Sequence, residues 1–339
     1  MADKTPPNEA DEDSFIPLSL DDPNNPIAEL NKQFYGEYDE DYFVNKAVVL
    51  ASFIADVQPM KEHLDKGFSV GKLTVKDSDI DSKWLEGYAK RELAINSYHA
   101  IESFFRLFFA HIENPDCPWV GVEQMQSFRE FKDRIDKLIK REYFEGSHDE
   151  EVAKILLGPR ELYSTLSDEE WQKGIANAVY MLVRLGSDIL NNQDYNVYKH
   201  GAALLDTQFG FQIDDGKVIG ADKQDTFMYL SSKTEKTPDK VIKQFSRTFK
   251  FIRWEQRFTS TYLSGMLLHN MLALHKSRLR IPQPKDTQVK AFNTLDMDKL
   301  FDFDNGDRIA MPDTMSIGLF ERHYNTNTTT QSNGKKKRA

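Results

Sequence analysis

The segment NNQDYNVYKHGAALL, residues 191–205, gathers Asp194, Tyr195, Asn196, Tyr198, Lys199 and His200 ahead of Gly201. If residues 194–200 form a helical turn, Asn196 and His200 stand four apart and share a face. A histidine titrates near neutral pH, so it can pass a proton in phosphodiester cleavage. Asn196 would orient that histidine or a phosphate, and Lys199 would stabilise developing negative charge. The same residues also fit a helix C-terminus, where Lys and His meet the negative end of the dipole and Gly201 supplies a permissive backbone.

A second group lies in YHAIESFFRLFFAH, where His99, Glu102 and Arg106 share one side of a strongly aromatic segment. Glu102 four residues before Arg106 is the favourable order for an intrahelical ion pair. As supporting polar residues they either face solvent or, inside a bundle, need partners from a neighbouring helix. Arg184 and Asp188 have the same spacing and predict a salt bridge within one helix. His269 and His275 are six apart and do not align on one helical face for a metal. The run FSRTFKFIRWEQRF interleaves Arg247, Lys250, Arg253 and Arg257 with aromatic residues. One face of it could contact nucleic acid by charge and stacking; the alternative is the charged side of an amphipathic core helix.

The commonest nucleotide-loop, dinucleotide-fold, zinc-protease and nucleophile-elbow motifs do not occur, so the sequence implies no cofactor and no metal. Asp214, Asp215 and Gly216 lack the remaining ligands of a calcium loop and fit a turn. A single cysteine, Cys117, excludes a disulfide within the chain and fits a reducing compartment. No apolar run is long enough to span a bilayer and the N-terminus lacks a signal pattern, which together predict a cytoplasmic protein without a membrane partner. A net charge of −10 argues against non-specific attraction to nucleic acid, although a local basic groove remains compatible with it.

The elements that must position these residues are mainly helical. The apolar spacing predicts helices over 40–66, which Pro59 either kinks or divides, over 82–113, over 121–143 and from Asp168 onward, where Ser167 and Glu170 form a capping-box pattern. GFSVGKLTVKDSD interrupts the pattern as a short extended piece. Around DDGK the period shortens and predicts a β-hairpin near 203–235. Thr237 and Pro238 then suggest the start of a long helix running to Leu279. The expected fold is mainly α: an antiparallel helical bundle with a small β-hairpin insertion. The expected organisation is a disordered acidic tail over 1–30, a single helical domain over 31–322 and a disordered polar and basic tail over 323–339.

Antiparallel helices, a helix of the type SYHAIESFFRLFFAH and a later polar cluster ending in a histidine resemble HEPN-like proteins. YKHG followed by a small hairpin also resembles bacterial proteins of unassigned activity. The HEPN resemblance implies a homodimer, RNA as partner, and a metal-independent ribonuclease site of defence or stress systems. On it His200 matches the motif histidine and Asn196 its polar residue, while Tyr195 stands where the motif has arginine for a four-residue gap. The alternative expectation is a non-catalytic helical interaction or scaffold protein.

Overall fold

A computed structural model describes residues 25–76, 81–190, 205–206, 209–212, 218–221, 226–237, 240–284, 287–301 and 314–325. Most of both expected tails lies outside the described residues. Helix α1, Pro26–Glu37, begins within the segment whose composition suggested a tail, with Asn25 capping it by accepting from the Ile27 amide at 2.9 Å. Then come α2, Tyr42–Ala55, and α3, Gln58–Lys66, with Pro59 in the first turn of α3. Proline lacks an N–H and suits a helix start, so it divides the two helices rather than kinking one. Strands β1, Phe68–Val70, and β2, Leu73–Val75, form the short extended interruption as an antiparallel hairpin.

Helix α4, Ser82–Glu113, runs through the centre. Tyr98, Ile101, Phe104, Phe105, Phe108 and Phe109 are fully buried on one broad face, and the buried Ala100, Leu107 and Ala110 extend it over most of the circumference, leaving a half-buried polar strip at His99, Glu102 and Arg106. A helix buried over so much of its surface must be packed from several sides. Helices α2, α5 (Pro118–Gln124), α8 (Asp168–Leu190) and α9 (Trp254–Arg278) pack on it. Helix α6, Phe128–Ile139, and α7, His148–Leu156, pack on α8. The helix expected over 121–143 is thus two, α5 and α6, because Ser127 caps a new start by accepting from the Glu130 amide at 3.3 Å. The capping box of α8 forms as expected, with Glu170 Oε2 accepting from the Ser167 amide at 2.8 Å and Ser167 Oγ from the Glu170 amide at 3.2 Å.

One expected element is corrected. Thr237 does not open a helix; its hydroxyl accepts from the Lys240 amide at 3.2 Å and closes a tight turn. Residues 240–251 are a strand and the helix begins only at Trp254. Ile242, Phe245, Phe249 and Ile252 fit a helical recurrence, but Phe245, Arg247, Phe249 and Phe251 fit a period of two equally well, and pairing on both sides decides between them. Strands β3 (Leu205–Asp206), β6 (Thr226–Lys236), β7 (Lys240–Phe251) and β8 (Thr314–Asn325) form one antiparallel sheet in the order β3-β6-β7-β8. Strands β4, Phe209–Gln212, and β5, Val218–Ala221, form the hairpin expected around DDGK. The chain is therefore mainly α with small antiparallel sheets, as expected.

Where α1, α4 and α9 meet, three polar aromatic side chains are buried together. The Tyr35 hydroxyl lies 2.9 Å from His111 Nε2, and His111 Nδ1 lies 2.7 Å from the Leu107 carbonyl. A carbonyl only accepts, so Nδ1 carries the proton and Tyr35 donates to Nε2. The His275 ring stands 4.5 Å from that of His111 and donates from Nε2 to the Pro115 carbonyl at 2.8 Å. Burial, then the neighbouring His275, pushes the His111 pKa down to about 3. Burial also lowers that of His275. Both shifts favour the neutral ring in the folded state.

Two outcomes follow from this packing. A depressed histidine pKa means that the unfolded chain takes up protons first, so the contribution of His111 is present above about pH 6.5. It is lost as pH falls from there toward 3. Urea unfolding from pH 7 to 4 should show stability falling, and H111Q should flatten that slope. Secondly, a Cβ on Gly174 in α8 would meet the Ala291 carbonyl oxygen at 2.3 Å. G174A should destabilise by about 1–3 kcal/mol although alanine is the better helix former by about 1 kcal/mol; a stability gain in urea would refute this contact.

Candidate functional site

The residues singled out by sequence separate into two sets. His200, Asn196 and Lys199, with Asp194 and Tyr195, lie outside the described residues. Glu102, Arg106 and His99 lie on α4. Glu102 Oε1 accepts from Arg106 Nε at 2.8 Å and from Nη2 at 2.7 Å. Arg106 Nη1 donates to the Met125 carbonyl, and the guanidinium lies 4.7 Å over the Phe131 ring. This pair fastens α4 to the end of α5 and to α6, and every nitrogen of the guanidinium is engaged in that task. His99 is half-buried on the same helix.

The expected bridge from Arg184 to Asp188 is replaced. Asp188 Oδ2 accepts from Ser260 Oγ at 3.3 Å and lies 3.7 Å from Arg257 Nη1 on α9. The Arg184 guanidinium instead covers the Phe301 ring at 5.4 Å. Asp188 faces a buried arginine, and a buried cation requires a counter-charge more than an exposed one does. His269 and His275 point to different environments, His275 into the core and His269 toward Glu40 at 3.4 Å. Among the described residues no group of three or more His, Cys, Asp or Glu is placed to hold a metal ion, and no helix is long and apolar enough to cross a membrane.

The aromatic and basic run noted in the sequence takes on a new geometry as strand β7. Side chains alternate between the faces of a sheet, and residues opposite each other in an antiparallel pair share a face. The register sets Phe245 opposite Ser232 and Phe320, Lys243 opposite Thr234 and Arg322, and Arg247 opposite Leu230 and Ile317. A bulge at the Phe245 to Ser246 step skips Leu319 and keeps these residues aligned. Phe245 and Phe320 stack with centroids 4.9 Å apart, and the Arg322 guanidinium lies 5.7 Å from one ring and 5.8 Å from the other. Phe320 is 47% exposed, Leu230 56% and Ile317 46%, so this face meets solvent.

The opposite face has another character. A hydroxyl ladder runs from Ser231 to Thr248 at 2.7 Å and on to Ser316 at 2.9 Å. Gln244 donates to Glu321 at 2.8 Å beyond it. Strands β6 to β8 carry seven Lys and Arg against two acids, Glu235 and Glu321, in a chain of net charge −10. Both acids fall on the hydroxyl face. The aromatic face carries Lys236, Lys243, Arg247 and Arg322 and no acid. The sheet is held at one end, where Phe227, Tyr229 and Phe249 are buried, while its strands reach solvent toward the turn at Thr237.

Flat aromatic rings set among cations can stack bases and neutralise phosphates. Phe320 and Arg322 escaped the sequence analysis altogether; the alternation in SIGLFERHY was their signal. Phe245 and Arg247 were noted, but on a helix.

Removing the charge of Glu102 tests its structural role. E102Q leaves Arg106 half-buried against Phe131 without a counter-ion and should cost about 1–3 kcal/mol in urea unfolding. An unchanged stability would release the pair from that role. No protein-family model matches this chain, and comparison with curated proteins and with solved structures returns no match.

Proposed function

We propose that this protein binds single-stranded RNA along the aromatic, basic face of the sheet. The observation that carries the reading is that the aromatic face carries cations and no acid: Lys236, Lys243, Arg247 and Arg322 share it with Phe245 and Phe320, while both acids of β6 to β8 lie on the other face among Lys233, Lys240 and Lys250. Cations track a phosphate backbone, and an aromatic ring accepts any base. The acidic remainder of the chain would repel the same polyanion and confine it to the sheet.

The resemblance to HEPN-like proteins supports RNA as the polymer. It also carries the finer parts of the proposal: a cytoplasmic homodimer in a defence or stress system, with metal-independent cleavage by His200 assisted by Asn196 and Lys199. The described part of α8 reaches Leu190, two residues beyond Asp188, which meets α9 near its start; His200, Asn196 and Lys199 follow outside the described residues. A second reading, protein interaction without catalysis, is favoured by the edge strand β8, on which Ile317, Leu319 and Phe320 are exposed.

Fluorescence anisotropy with labelled oligouridine separates these readings. F320A and R322A should each weaken binding by about 1–3 kcal/mol, roughly 5- to 150-fold, and R322A should reduce the salt slope by about 0.7. K233A, on the hydroxyl face, should leave affinity unchanged. Absence of binding at low salt, or indifference to F320A and R322A, would refute the RNA surface and favour the interaction reading. Incubation of RNA in EDTA with wild type and H200A tests cleavage: equal cleavage, or none in either, removes the nuclease part.

A further inference from the structure

Away from the sheet, a cleft of about 490 Å³ lies between the turn that joins α1 to α2, one face of α9, and the segment that returns across α9 after it ends. A volume of this size suits a small organic ligand. Tyr262, His269 and Lys276 follow one another at intervals of seven on α9, so they form a stripe about 21 Å long on one face. All three line the cleft, with Val44, Met266 and Ala273 as its apolar part. Gly265 sets the floor: a Cβ there would meet Val44 Cγ2 at 2.4 Å, so glycine lets α2 close against α9.

The charged groups converge from three elements. Glu40 and Asp41 come from the turn before α2, His269 and Lys276 from α9, and Lys290 from the returning segment. His269 Nδ1 lies 3.4 Å from Glu40 Oε1 and Nε2 lies 3.3 Å from the Gln288 carbonyl. With an acceptor at each nitrogen, the ring is best satisfied with both protons on, as a cation. The returning segment is fixed by Asn270, whose amide donates to the Lys290 carbonyl at 2.8 Å and accepts from the Lys290 amide at 2.9 Å. Three cations thus face two carboxylates, and one carboxylate is spent on His269.

We propose that this cleft binds a small organic anion with an aromatic or apolar end, its charged group held by Lys276 and Lys290 beside His269 and its apolar end by Tyr262, Val44 and Met266. The site is independent of the RNA surface and shares none of its residues. The hydrogen bond to Glu40 raises the His269 pKa despite burial. Burial acts to raise that of Glu40, yet the hydrogen bond from His269 and the charges of His269 and Lys276 leave it below the usual carboxylate value. The other titratable groups facing the histidine are Asp41, Tyr262, Lys276 and Lys290. Anion affinity accordingly falls as pH rises through the His269 transition, and H269Q removes that dependence.

Isothermal titration of the full chain with phenyl phosphate, phenylacetate, inorganic phosphate and benzyl alcohol is the test. Phenyl phosphate or phenylacetate should bind saturably at pH 6.5, and which of the two binds tighter identifies a phosphate or a carboxylate as the natural group. Benzyl alcohol should bind at least tenfold more weakly. The K276A/K290A double variant should lose at least tenfold in affinity, the scale of charged hydrogen bonds, while its circular dichroism and oligouridine affinity stay unchanged. The proposal is overturned if neither aryl anion binds, if the double variant binds as wild type does, or if inorganic phosphate binds as tightly as phenyl phosphate. Loss of oligouridine binding in F320A with intact aryl-anion binding would concern the sheet alone.

Discussion

The burial of the second half of α4 over most of its surface governs the rest of the architecture. In FFRLFFAH every residue but Arg106 is buried: the four phenylalanines share one broad face, and Leu107 and Ala110 carry the burial around to the other side. Each such ring contributes about 1.5–3 kcal/mol only when fully removed from water, which requires helices around most of the cylinder. Several of the polar groups admitted to this enclosure arrive with partners. Arg106 brings Glu102 and the Met125 carbonyl, His111 brings Tyr35, and Arg257 is met by Asp188 and lies over the Tyr98 ring at 4.9 Å. These pairs fix which helix sits where, since unpaired they would cost more than they contribute.

The sheet takes what the helices leave. Only its base enters the core, through Phe227, Tyr229 and Phe249, and the strands then run into solvent with both faces wet. A sheet packed on one face has its chemistry dictated there by the core. Here neither face of the outer part is so constrained, and the two have diverged into a hydroxyl side of mixed charge and an aromatic side whose charges are all basic. The returning segment after α9 plays a comparable part at the opposite location, where Asn270 and Gln283 pin it so that it walls a cleft rather than closing one.

Legibility in the sequence followed the range of the interaction responsible. The bounds of α4, the capping box at Ser167 and Glu170, an interruption at Pro59 and the hairpin around DDGK rest on residues a few positions apart, and each was readable. The strand β7 was not, because KVIKQFSRTFKF satisfies both periods and its pairing with β8 joins residues some seventy positions distant. The Glu40 and His269 pair unites residues still further apart, and nothing local to either marks the other. Glu102 and Arg106 were seen as a pair; that they clasp a turn of backbone at Met125 required the fold.

By itself the sequence determined the mainly helical class, the long aromatic helix and its apolar face, the absence of a disulfide within the chain and the acidic balance, because composition and short-range spacing are sufficient for these. Tertiary structure alone decided that the first half of the aromatic and basic run is a strand, that Lys243 and Arg247 share a face with Phe245, Phe320 and Arg322, and that Tyr262, His269 and Lys276 meet Glu40 and Lys290 across a cleft. The physical reason is that a side chain acquires a face and a counter-charge only when distant backbone segments pair or pack, and those pairings carry no signature in the residues beside it.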